Sequence, residues 1–100
     1  MTARRQVRVA PSFFDRLDEL LPEERTATGK PSATDFLLHE IPTVIDRLAE
    51  DYERHTMVLT AAPEFRVMIA AGILIPRFSI YTLQAADGAV EIVYLELSYE

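Results

Sequence analysis

Four residues near the C-terminal end, Arg66, Arg77, Tyr81 and Tyr94, have the types and spacing to do chemistry. Guanidinium groups grip phosphate oxygens. Phenol rings stack on bases, and a phenol hydroxyl can pass a proton. Together the four suggest contact with phosphates and bases, or with a partner protein, and Arg8, Tyr94 and Glu96 are the candidate binding residues. In one register Arg66 faces Arg77, which is unfavourable unless an anion sits between them. Glu96, diagonal to Arg77, or a phosphate could be that anion.

A β-meander must position these groups. Asp87-Gly88 lies between two β-rich runs, Ile80 to Leu83 and Val90 to Leu97, and such a pair is a strong hairpin signal. A two-residue turn there pairs Tyr81 with Tyr94, Ile80 with Leu95, Ser79 with Glu96 and Phe78 with Leu97. Phe78, Ile80, Thr82, Val93, Leu95 and Leu97 then share an apolar face. Arg77, Ser79, Tyr81, Tyr94, Glu96 and Ser98 share the other. A second two-residue turn near Gly72 adds Phe65, Val67 and Ile69 to the apolar face. It adds Arg66, Met68 and Ala70 to the polar one.

The preceding residues read as one strand and two helices. Gln6 to Ala10 alternates, with Val7 and Val9 inward and Arg8 outward. Ser12 with Asp15 suits a helix start, followed by Phe13, Phe14, Leu17, Leu20 and Leu21 at helical spacing and stopped by Pro22. Glu23 to Pro31 is a polar loop. Ser32 with Asp35 opens a second helix, whose stripe Leu37, Ile41, Val44, Ile45, Leu48 and Tyr52 runs to about His55. Pro42 within it predicts a kink. Thr56 to Pro63 reads as a connector.

The order β-α-α-β-β-β predicts an α+β fold, residues 1–100 forming one domain with two helices on a small antiparallel sheet. Helices on one face leave the other for water or a partner.

Composition narrows the function. The chain has no cysteine and a formal charge of −6. Residues 1–10 carry +3, residues 11–55 carry −6 and residues 56–100 carry −3. An acidic chain with one lysine, Lys30, is poorly suited to tight, unaided nucleic-acid binding. The lack of thiols fits a reducing cytoplasm, and no apolar run is long enough to span a bilayer. His39 and His55 have no second ligand at metal-binding spacing, and no cofactor motif is present. Arg4, Arg5 and Arg8 read as a basic N-terminal arm that frays by default.

The stretches "VRVAPSFFDRLDELL", "FRVMIAAG" and "PRFSIY", with the Asp-Gly hairpin, make the chain resemble the RelE/ParE superfamily of type II toxin–antitoxin systems. The resemblance implies a toxin-type protein of the prokaryotic stress response, neutralised by a cognate antitoxin. It would act as an mRNA interferase, a ribosome-dependent endoribonuclease, or by poisoning DNA gyrase. On this resemblance Arg66, Arg77 and Tyr81 fall at the positions of the RNA-cleaving set. Two departures stand out: "TMVLTAAPE" replaces a lysine-rich stretch, and the final "LELSYE" lacks a basic or histidine residue. The alternative is a catalytically inactive relative, a protein–protein interaction module whose open sheet binds a partner or a second copy.

Overall fold

The computed structural model describes residues 4–98. Among them the chain is α+β, with four helices and a five-stranded mixed sheet. The elements are β1 (Val7–Val9), α1 (Pro11–Leu20), α2 (Ala33–His39), α3 (Ile41–Glu50), α4 (Tyr52–His55), β2 (Met57–Leu59), β3 (Ala62–Ala70), β4 (Arg77–Gln84) and β5 (Val90–Ser98). The strand order is β1-β5-β4-β3-β2. The expected order of one strand, two helices and three strands is therefore too simple. The expected antiparallel sheet is mixed, because β1 runs parallel to β5. No described helix is long and apolar enough to cross a membrane.

Local sequence explains most elements. Ser32 and Asp35 form a capping box: Asp35 N–H donates to Ser32 Oγ at 3.0 Å, and Ser32 N–H to Asp35 Oδ2 at 2.9 Å. The Arg25 guanidinium first, and the Ser32 amide second, hold the Asp35 carboxyl down at about 2. Pro42 has no N–H, and the second helical stripe is interrupted at Glu40, which stays in the right-handed helical region. Asp51, unlike Glu40, leaves helical geometry, so α3 ends there and Tyr52 begins the separate turn of α4.

Helix α1 departs from the sequence reading at its start. Its cap is Ala10, Pro11 takes the first turn, and Ser12 makes no capping bond. Ser12 Oγ instead donates to Val93 O at 2.8 Å, and Arg16 Nε donates to Leu95 O at 3.1 Å. Ala10 N–H donates to Ile92 O at 2.9 Å. These bonds cover the edge of β5 where β1 stops, and so close a strand edge that would otherwise invite aggregation. The N-terminal arginines are also tied down: Arg4 contacts Asp46 and Glu50, Arg5 contacts Glu53, and Arg8 forks onto Asp87.

The core lies between the sheet and α1–α4. Phe13, Leu17, Phe36, Val44, Leu48, Tyr52, Met68, Ile75, Phe78, Ile80, Ile92 and Leu95 are buried there. Phe36 sits edge-on to Phe78, with ring centroids 5.1 Å apart.

The β4–β5 pairing follows the expected register from Phe78↔Leu97 to Tyr81↔Tyr94. Two features that were not anticipated cancel to give it. The loop has three residues, 86–88, closed by Ala85 N–H to Ala89 O at 2.8 Å, with Gly88 at φ +89°. A bulge at Val93 then restores the count, since Tyr81 pairs with Tyr94 but Thr82 with Ile92. Ile92 therefore faces the core, and Val93 turns to the outer face with Tyr94.

The β3–β4 connection overturns the other parity. Ala70 pairs with Phe78, leaving residues 71–77 between them in place of a two-residue turn. An odd number of intervening residues inverts which side chains share a face. Arg66, Met68 and Ala70 face the helices, while Phe65, Val67 and Ile69 face outward beside Tyr81. Glu40, only 3 % exposed, fixes this loop: its carboxylate accepts from the N–H groups of Ile73, Leu74 and Ile75 at 2.9, 3.1 and 3.1 Å. A Cβ at Gly72 would overlap that carboxylate and the Ile75 carbonyl oxygen, so the tight approach needs glycine.

Adjacent substitutions test the inverted face. Met68→Ala should lose about 2–4 kcal/mol in urea unfolding, and Ile69→Ala less than about 1 kcal/mol. The reverse ranking would return β3 to the parity of a two-residue turn.

Candidate functional site

The predicted site divides between two faces. Arg77, Tyr81, Tyr94 and Glu96 share the outer face of β4 and β5. Arg66 pairs with Thr82, which is fully buried, and so lies on the helical side. Arg66 does not oppose Arg77, and the expected three-residue set is not assembled.

On its own side, Arg66 is part of a closed hydrogen-bond network. Its Nε donates to Thr56 Oγ1 at 2.6 Å, and its Nη2 donates to the carbonyls of Glu53 and Thr56, each at 3.1 Å. Thr56 Oγ1 donates to Tyr52 O at 2.6 Å. Thr82 Oγ1 donates to Arg66 O at 2.9 Å and lies 2.8 Å from Tyr52 Oη. Thr82 has one proton and has given it to the carbonyl, so Tyr52 is the donor in that contact. The Arg66 and Arg5 guanidiniums lie 5.6 and 5.4 Å from the centre of the Tyr52 ring. Arg66 thus joins α4 to the sheet.

On the outer face, the Tyr81 and Tyr94 rings meet edge to face at 5.6 Å. Burial first, and the nearby Glu96 carboxylate second, push the Tyr81 hydroxyl above its ordinary value. The Arg16 guanidinium sits 4.8 Å from the centre of the Tyr94 ring and also contacts Glu19 at 3.2 Å. Arg8 donates both arms of its fork to Asp87 at 2.9 and 3.1 Å, and this contact raises Arg8 and lowers Asp87. Among the described residues Arg77 and Glu96 form no ion pair with each other.

The tyrosines border an apolar cleft of about 360 Å³, completed by Leu59, Phe65 and Val93. Sequence reasoning placed Phe65 and Val93 in the core and Leu59 in a connector. One signal for Val93 was present: Ile92-Val93-Tyr94-Leu95 breaks strict alternation, as a bulge does. Around the cleft, Met57 and Ile69 are 58 % and 56 % exposed and Tyr94 39 %. An uncovered apolar face of this kind suits contact with another molecule. Arginines that stabilise a scissile phosphate converge on its oxygens. Here Arg66 faces the helices, and Arg8 and Arg16 have carboxylate partners. Among the described residues no group of three or more His, Asp or Glu side chains could hold a metal ion.

Comparison of the chain with protein-family models, with curated proteins and with solved structures finds no match in any of the three.

The two arginines should behave oppositely on truncation. Arg66→Ala should lose about 1–3 kcal/mol of unfolding free energy, because it strips donors from Thr56 and from two carbonyls. Arg77→Ala should stay within about 0.5 kcal/mol. Equal losses in chemical denaturation would show that Arg66 does not hold α4.

Proposed function

We propose that this chain is a protein-interaction module that works through its uncovered sheet face and carries out no reaction there. The supporting observation is the apolar cleft of Leu59, Phe65, Tyr81, Val93 and Tyr94, bordered by exposed Met57 and Ile69. Helices cover the opposite face, so the outer layer of a folded sheet is left as contact surface. The use of Arg66 as a structural brace and the acidic charge of −6 support contact over phosphate chemistry.

A second reading draws on Arg77, Tyr81, Tyr94 and Glu96 sharing that face. In it the chain is a RelE/ParE-like toxin component acting in the cytoplasm on ribosome-bound mRNA or on DNA gyrase. A cognate antitoxin would cover the same face. The resemblance of the opening strand and helix and of the closing hairpin supports it.

A photoreactive phenylalanine analogue placed at Tyr94, with a control at Glu50 on α3, tests the first reading in cells that produce the chain naturally. A discrete protein adduct from position 94 and none from position 50 is expected. Equal labelling from both positions, or none from either, would remove the sheet face as the working surface. For the second reading, induced expression should arrest growth, and Arg77→Ala with Tyr81→Phe should relieve the arrest. Unimpaired growth with soluble, folded natural chain counts against it.

A further inference from the structure

The groups around the cleft point to the partner's chemistry. Resting on the interaction-module reading, we infer that the sheet face receives an amphipathic helix of another protein, whose apolar anchors are flanked by Lys or Arg.

The cleft's shape favours a helix. Its lining comes from β2, β3, β4 and β5, so it crosses the face of the sheet and does not follow an edge. A strand adding to the outer edge of β2 would lie beside it, not over it. A helix is about 10 Å across and buries one apolar stripe, which fits a groove running over several strands. Helices already cover the other face, and a helix here would complete a layered stack. About 360 Å³ is room for a few anchor side chains, not for a whole domain.

The charges favour a basic flank. Glu91 and Glu96 bracket Val93 and Tyr94 along β5; among the described residues neither is in an ion pair, and Glu91 lies across from Arg8 on β1. Two of the neighbouring cations are engaged: Arg8 forks onto Asp87, and Arg16 contacts Glu19, the Leu95 carbonyl and the Tyr94 ring. Arg77, opposite Ser98, is the diagonal neighbour of Glu96 on the same face, and among the described residues it forms no ion pair with it. The net charge of −6 adds long-range attraction for a cationic partner. A second copy would bring the same charge and the same two glutamates, which disfavours it as the occupant.

Two labelled synthetic peptides test this by fluorescence anisotropy. They share one helical Leu/Phe stripe; one is flanked by Lys and the other by Glu. The natural chain should bind the Lys peptide roughly tenfold more tightly, with a loss between about 50 and 300 mM salt. The surface variant Glu91→Lys/Glu96→Lys, with its fold checked by circular dichroism, should reverse the preference. Equal binding of both peptides overturns the charge inference and leaves the interaction reading standing. Neither peptide binding, with a dimer in light scattering that Val93→Asp dissociates, assigns the face to a second copy and overturns the inference alone. Neither peptide binding to a monomer overturns both.

Discussion

The Glu40 carboxylate is the constraint on which the rest of the structure depends. It is buried at the junction of α2 and α3, where a lone anion would be strongly unfavourable. Three backbone N–H groups, of Ile73, Leu74 and Ile75, offset that cost. In return the carboxylate holds the β3–β4 connection in a wide loop that sets Ile75 into the core. The break that Pro42 favours and the space left by Gly72 are the two conditions for this contact. The pairing Ala70↔Phe78 follows from the loop, and with it the parity of β3.

That parity distributes the work of the two sheet faces. With Arg66 turned inward, a guanidinium that could have met phosphate instead links Tyr52, Glu53 and Thr56 to the sheet. With Phe65 and Ile69 turned outward, the opposite face gains apolar surface. Edge control follows a similar division. Ser12 and Arg16 of α1 hydrogen-bond to carbonyls of β5, so that edge is closed by polar contacts. At the other edge, β2 is only three residues long, a length that limits strand addition.

The parts legible in the sequence were those fixed by short-range chemistry. The capping box Ser32–Asp35 and the Asp-Gly hairpin each depend on neighbouring residues, and each is present, while the stripe from Leu37 to Tyr52, expected as one kinked helix, is split among α2, α3 and α4. The hairpin register came out right between Phe78 and Tyr81 because a longer loop and the Val93 bulge shift the pairing in opposite directions. The misplaced parts depend on distant contacts. Residues 71–77 have no strong turn signal of their own, and their path is set by Glu40, more than thirty positions earlier. Ser12 has the right type to cap α1, but the carbonyl of Val93 claims its hydroxyl. The candidate site inherited the parity error: Tyr81, Tyr94, Arg77 and Glu96 share a face as read, and Arg66 does not join them.

Charge is also unevenly placed. Acidic residues concentrate in the helical segment, residues 11–55, where the N-terminal arginines offset Asp46, Glu50 and Glu53. The outer sheet face carries Arg77, Glu91 and Glu96 and exposes Met57, Ile69 and Tyr94. An apolar face on a neutral protein would invite association with any similar surface. A net charge of −6 opposes contact between copies of this chain, because every approach brings the same sign together. In the proposed interaction the same field would favour a cationic surface over an acidic one.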